Sequence, residues 1–385
     1  MHILHVSPYY PPSWAYGGIP RIVSGLSTHQ VRLGHKVTVL TTDAFDSSQR
    51  FVGPSIENRQ GVTVLRATNL SNRLAYQQLF LPIGTQRLLD QCIDIDVIHL
   101  HGHRHLLNNI ALRYGQTIRC PVVMTANGTL RRIETRQRIK WLWDKLFSGH
   151  IPQQVDQCIA VSSADTAIHR AAGIPADKIT QIPNGLDLNE FESLPPENTF
   201  REQFGLDQRP IVAYLGRISP RKGVDVLIRA FRALKTPAQL VIAGNDMGAM
   251  ERAKILADQD PNVHFVGLLK GQMRLALLRD TQVLVYASQN EIFGLVPFEG
   301  LLCGAPTVVS NDCGCGEIIQ AAQAGLLVKY GDSNGLASRL DILIGDPELA
   351  QTMVNRGKSY IQKVLDFNTV AQRHIEVYQS LITEG

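Results

Sequence analysis

Cysteine is scarce: the 385-residue sequence holds six, irregularly spaced and with no Cys-x-x-Cys pair. A stapled disulfide scaffold is thereby excluded, and sparse thiols point to a reducing compartment, so a cytoplasmic location is expected. Long apolar runs are missing as well. Nothing approaches the roughly 18 to 20 uninterrupted residues that a spanning helix needs, and Met1 to Pro12 shows no charged stretch followed by an apolar one, as a secretory leader would. Charge of one sign is in equally short supply. The 38 Lys and Arg against 34 Asp and Glu leave a formal +4, too little over this length for a nucleic-acid partner. Low-complexity segments and internal repeats are absent too. With 44% hydrophobic and 19% charged residues, what remains is a globular chain long enough for two domains.

The order of its apolar runs predicts an α/β fold. A strand over His2–Val6, a Pro-rich turn, a helical pattern from Ile19 to Leu33 stopped by Gly34, and a strand over Val37–Thr41 make one βαβ unit. Runs at Val62–Arg66, Val97–His101, Pro121–Thr125 and Gln157–Val161 extend it into a doubly wound parallel sheet. Asn-Gly and Pro-Pro punctuation over Ile182–Pro196 marks a linker. The same grammar then restarts, with strands expected at Ile211–Leu215, Gln239–Ala243, Val263–Val266, Val283–Tyr286, Thr307–Ser310 and Gly325–Val328. Two consecutive Rossmann-like domains follow, 1–188 and 189–367. A closing helical segment, Asn368–Thr383, packs on either half as far as its pattern goes.

The sharpest chemical feature runs from Glu291 through Gly294, Leu295, Val296 and Pro297 to Glu299, a loop entering a short helix. Proline suits the first helical position, which puts Glu299 in the first turn and Gly294 to Val296 at the amino end. Free N–H groups and the helix dipole there suit an anion, and the missing side chain at Gly294 admits a ligand closely. A carboxylate pair bracketing an anion hole suits a molecule with both phosphate and sugar hydroxyls. A second feature, Tyr214-Leu-Gly216-Arg217 to Lys222-Gly223, ends a strand in a Gly turn carrying three cations. Ligands of open α/β sheets sit outside the carboxyl ends of strands, so Arg217 and Lys222 are placed to neutralise a diphosphate, unless the loop is merely a solvated surface.

Gly17 and Gly18 precede the first helix but lack the G-x-G-x-x-G spacing of a dinucleotide fingerprint, which counts against a nicotinamide or flavin enzyme. His99, His101, His103 and His105 alternate at a strand end. No matching ligand group completes a tetrahedral set, so no metal is expected. One histidine, His101, is expected to face the cleft, with His99 packed inside. The stretch 131–145 gathers six cations and two Trp. It is either a face for an anionic membrane or a solvated face with its Trp buried. Cys313-Gly-Cys315 reads as turn chemistry.

Glu291 and Glu299 with seven residues between, Gly304-Ala-Pro306, Gly216-Arg217, Lys222-Gly223, Pro183-Asn-Gly-Leu-Asp187 and Gly17-Gly18, in this order along nearly the whole chain, resemble the retaining, nucleotide-sugar-dependent glycosyltransferases of the glycogen-synthase and sucrose-synthase-like group. The resemblance implies a GT-B architecture: two facing Rossmann-like domains, an interdomain cleft, acceptor on the first, donor on the second, and a closing helix 368–385 that returns to the first. It assigns Glu299 to the donor ribose, Glu291 to hydroxyls of the transferred sugar, and Arg217 and Lys222 to the diphosphate. The backbone of Gly294, Leu295 and Val296, with Gly216, completes the donor site. Gly17 and Gly18 approach the donor from the first domain, His101 lies beside the reacting centre, and His101, Thr125 and Asn127 contact the acceptor. The catalytic set it implies is His101, Arg217, Lys222 and Glu291.

By the same resemblance no cofactor and no metal are needed. A nucleoside diphosphate sugar is the co-substrate, a glycan or lipid-linked molecule the acceptor, and polysaccharide biosynthesis the setting, while the basic Trp stretch 131–145 favours work at the inner membrane surface. The chain departs from many relatives at Cys313 to Glu317, where they carry a Gly-Gly doublet, and at Asn127, in a loop where they carry His. Rival readings are a nucleotide-sugar epimerase, a phosphorylase, and a non-catalytic scaffold or binding subunit. The last would show damaged donor residues, yet Arg217, Lys222, Glu291 and Glu299 are all present.

Overall fold

A computed structural model describes residues 1–14, 17–46, 49–77, 79–131 and 137–384. The chain divides into two compact units, Met1–Leu186 with Leu365–Gly385, and Asp187–Val364. The first unit holds a nine-stranded sheet: β1 (His2–Val6), β2 (Lys36–Thr42), β3 (Ile56–Arg59), β4 (Val62–Asn69), β5 (Pro82–Ile83), β6 (Val97–His101), β7 (Val122–Thr125), β8 (Gln157–Ala160) and β9 (Ile179–Gln181). Their order is β3-β4-β2-β1-β6-β7-β8-β9, with β5 paired to β4. Only β3 and β5 pair antiparallel among the described strands.

Alternation along these strands explains why they read as continuous apolar runs. Ile3, Val37, Val39, Val62, Val64, Val97 and Val123 face one layer, where Val370, Ile375 and Tyr378 of the closing helix Phe367–Glu384 cover them. Their neighbours Leu4, Leu40, Leu65, Ile98, Val122 and Met124 face the other, under Leu107, Ala111 and Leu112 of the helix Leu106–Ile118. Each fully buried Leu, Ile or Val contributes roughly 1.5 to 3 kcal/mol over its exposed state, so both faces need cover. The closing helix is therefore a core element of the first unit.

The second unit carries a six-stranded parallel sheet: β10 (Ile211–Leu215), β11 (Gln239–Ala243), β12 (Val263–Gly267), β13 (Val283–Tyr286), β14 (Thr307–Ser310) and β15 (Gly325–Val328), in the order β12-β11-β10-β13-β14-β15. The chain steps outward from β10 to β12, then returns to the other side of β10 to lay down β13. That reversal is a topological switch point, outside whose carboxyl strand ends ligands of open α/β sheets bind. The first unit has its own switch between β1 and β6.

Candidate active site

The loops after β10 and β13, which flank the switch point of the second unit, are those that carry the predicted donor residues. After β10, Gly216 turns the chain, its N–H donating to the Ala243 carbonyl at 3.0 Å. Arg217 follows, exposed. Its own carbonyl accepts from the Tyr214 hydroxyl at 2.6 Å, which pins the turn to the strand below. A short 3-10 turn, Pro220–Lys222, then leads into the helix Val224–Arg232 through Gly223. Gly223 has φ +68°, and a β-carbon there would lie 2.1 Å from the Ala287 carbonyl oxygen. Glycine alone lets this turn press against the end of β13.

That approach delivers Lys222 to Tyr286 and Glu291. The buried ammonium donates to the Tyr286 hydroxyl at 2.8 Å and to the Glu291 carboxylate, and it lies 4.7 Å from the centre of the Tyr286 ring. Burial works against the charge on Glu291, but the facing Lys222 outweighs it and holds the carboxyl below its ordinary range. Burial, reinforced by Glu291, pushes the Tyr286 phenol well up, so it stays a neutral donor. Gly294, at φ +78°, would put a β-carbon 2.8 Å from the Tyr286 ring. Its bare backbone brings the Glu291 loop down over the ring.

Leu295 precedes the helix Val296–Cys303, whose amino end no side chain of Leu295 caps. Pro297 takes the second helical position, one further in than expected, and Glu299 lies in the first turn. Glu299 is 1% exposed, and Arg274 from the helix Gly271–Asp280 bonds both it and Glu190. A buried carboxylate held by a guanidinium is far from a solvated helix-dipole partner. Arg274 escaped the sequence reading because it lies 25 residues upstream on an unremarkable helix; Tyr286 escaped as an apparent core aromatic.

The predicted residues of the first unit lie around its own switch point. Gly17, at φ +95°, and Gly18 stand exposed at the start of the helix Ile19–Arg32; Ala15 and Tyr16 of the same motif lie outside the described residues. The histidine expectation needs correcting. His99 and His101 are two apart on β6, so they point to the same face, with ring centres 4.1 Å apart and both buried. His5 of β1 completes the group.

Hydrogen bonds fix these rings. His5 Nε2 faces Gln30 Oε1 at 2.6 Å, and His5 Nδ1 faces His101 Nε2 at 2.9 Å. An amide oxygen only accepts, so with Gln30 in this orientation His5 accepts from His101, and His101 Nδ1 is left a bare acceptor. His99 bonds the Tyr378 hydroxyl at 2.6 Å and Thr125 Oγ1 at 2.7 Å. Burial pushes His5 down to about 4 and His99 and His101 well below their usual range. One ring nitrogen from each of His5, His99 and His101 lies within 4.8 Å of the others, a donor set the sequence hid because His5 is remote from the other two. Both nitrogens of His5 and of His99 and Nε2 of His101 are spent on internal bonds, and only His101 Nδ1 is left without a partner among them. His101 and Thr125 also line a small pocket with Asn184, Phe367 and His374. Asn127 sits just beyond β7 at φ +49°.

Of the basic stretch, residues 132–136, including Arg132 and Arg136, lie outside the described residues. The described part forms the helix Gln137–Trp143 and a π-helical turn Asp144–Ser148. Arg104 anchors it with two 2.8 Å bonds to Asp144. Trp141, Leu142, Leu146 and Phe147 are 50%, 49%, 60% and 42% exposed. Among the described residues no helix is long and apolar enough to cross a membrane.

Known proteins resemble this chain in sequence and in fold. The family model for Glycosyl transferases group 1 matches residues 196–360, and that for Glycosyltransferase Family 4 matches residues 16–190. An uncharacterized glycosyltransferase of Methanocaldococcus jannaschii is 27% identical over 98% of both chains. A glycogen synthase of Mycobacterium tuberculosis is 29% identical over 98% of this chain and 94% of its own. Among solved structures, a sucrose-phosphate synthase from Thermosynechococcus elongatus superposes with TM-score 0.78 at 21% identity over all of both chains. The Anabaena protein HepE, solved with UDP-glucose, does so with TM-score 0.75 at 21% identity over 99% of this chain and all of its own.

Proposed function

This chain is a glycosyltransferase of the glycogen-synthase and sucrose-synthase-like group, with the GT-B fold, and from that starting point we propose that it moves a hexosyl unit from a nucleoside diphosphate sugar, with retention and without a metal, to a glycan or lipid-linked acceptor. The observation that carries the reading is the cluster of Lys222, Tyr286 and Glu291 beside the uncapped helix Val296–Cys303, at the switch point of the second sheet. The HepE complex with UDP-glucose supports a nucleotide-sugar donor.

Arg217, Lys222 and the N–H groups at the helix start hold the diphosphate. Glu299, oriented by Arg274, accepts from ribose hydroxyls, and Glu291 accepts from the sugar. As the glycosidic bond breaks, negative charge grows on the departing diphosphate and meets positive groups already in position, the term that usually dominates catalysis. Same-face attack, with a donor phosphate oxygen taking the acceptor proton, retains configuration and needs no protein base. The first unit binds the acceptor.

The experiment is a thermal-shift panel of nucleoside diphosphates and their sugars in EDTA, because a ligand of the native state raises its melting temperature. One nucleotide is expected to stabilise the protein, and Glu299→Ala to abolish the shift. No shift with any nucleotide overturns the reading.

Exposed Trp141, Leu142, Leu146 and Phe147 beside Lys140 and Lys145 support work at an anionic membrane surface. Replacing Arg131, Arg132, Arg136 and Arg138 together is expected to weaken cosedimentation with anionic vesicles, in a salt-sensitive way. A wild type that ignores such vesicles removes the membrane from the proposal.

A further inference from the structure

We propose that Cys313 and Cys315 are a reversible oxidation site: a hydroperoxide joins them in a disulfide that displaces the Glu291 loop and shuts the donor site. The oxidation stands on its own; the shutting rests on the transferase reading.

The two sulfurs lie 3.1 Å apart, inside ordinary contact distance for sulfur. A disulfide measures about 2.05 Å, so closure needs movement of only about 1 Å, and Gly314 between them gives the turn its freedom. The thiols are not equivalent. Cys313 occupies the N-cap of the helix Gly314–Ala322, where its sulfur accepts from the Gly316 N–H at 3.3 Å. Its hydrogen bond with Cys315, helped by the Gly316 N–H, lowers its pKa against burial, while its own S–H donates to the Ser310 carbonyl at 2.8 Å. Burial pushes Cys315 well up. Burial likewise raises Cys92 to about 11, and Cys120, Cys158 and Cys303 to about 12. Cys313 is thus the attacking thiol and Cys315 the resolving one.

The chemistry balances. The Cys313 thiolate attacks the O–O bond of hydrogen peroxide, forming a sulfenic acid and, after protonation of the leaving hydroxide, one water. The Cys315 sulfur then attacks the Cys313 sulfur, and the sulfenic oxygen leaves as a second water with the Cys315 proton. Two thiols and one peroxide give one disulfide and two waters, and a dithiol reverses the step by exchange. Both sulfurs are buried, but the turn is at the surface, with Asn311 and Asp312 exposed, and peroxide is little larger than water.

The link to the donor site is through the backbone. The Gly314 N–H donates to the Glu291 carbonyl at 2.9 Å, and the Asn290 N–H to the Asp312 carboxylate at 3.3 Å. The turn that must move to close the disulfide is the one that holds Glu291 opposite Lys222.

The test treats the full chain with hydrogen peroxide, removes the excess with catalase, denatures, and labels with N-ethylmaleimide for mass measurement. Labels are expected to fall from six to four, with the peptide spanning 313–315 unlabelled and two hydrogens lighter, and to return to six after dithiothreitol. Cys315→Ser should instead leave a sulfenic acid that dimedone traps at Cys313. Six labels after oxidation, or a disulfide elsewhere, overturn the site. The nucleotide thermal shift should vanish in the oxidised protein and return on reduction; a disulfide that leaves it intact overturns the coupling. A disulfide at 313–315 in a protein that shows no nucleotide shift even when reduced defeats the transferase reading alone.

Discussion

Lys222→Ala is expected to lower the turnover of sugar transfer by about 10²- to 10³-fold, some 3 to 4 kcal/mol of transition-state stabilisation. The ammonium is positioned in advance, held by Tyr286 and Glu291, so on the proposed reading it would meet the charge that develops on the diphosphate with no reorganisation. A contact that strengthens only as the leaving group departs appears in kcat far more than in KM. The fold should suffer less. Glu291 loses its partner, but its side chain retains 27% exposure and water takes over its solvation, so the unfolding midpoint should move little. Steady-state kinetics beside denaturant unfolding separate the two effects. Unchanged turnover, or a loss explained by unfolding, defeats the assignment of Lys222.

The second large effect concerns acid. All twelve histidines but His264 lie in the first unit. Burial pushes His5, His105 and His374 there down to about 4. A histidine whose folded pKa lies below its unfolded value is neutral in the fold while the unfolded chain takes up protons. Stability is therefore full above about pH 6.5 and falls as pH drops toward 4. Each such ring removes on the order of 3 kcal/mol across that window, and three together match the whole stability of an ordinary domain. In calorimetry the transition of the first unit should fall by tens of degrees between pH 7 and pH 4.5, while that of the second moves only a few. Two transitions that shift alike, or none that shifts, contradict this account.

Much of the architecture was legible because strands buried on both faces leave nearly unbroken apolar runs. Every strand read from such a run is present. The missed ones lack that signature: β3, Ile-Glu-Asn-Arg, is an edge strand with exposed positions, β5 is two residues long, and β9 is only partly buried. In the second unit the carboxylate pair and the basic turn were legible because local spacing carries their chemistry. Arg274, Tyr286 and His5 were not, since each acquires its role from a partner distant in sequence. The order of strands was equally hidden. Nothing local says that β13 lies beside β10, yet that adjacency brings Lys222 to Glu291.

The closing helix has a consequence for synthesis. Because Val370, Ile375 and Tyr378 complete a layer whose other buried members come from residues before 186, the unit that leaves the ribosome first lacks part of its core until residues 365–385 have been made. The second unit is one continuous stretch, 187–364, and has all its strands in hand earlier. The usual order, in which amino-terminal domains fold first during translation, is thus expected to reverse, the second unit reaching its native state while the first waits for Tyr378 to cover His99.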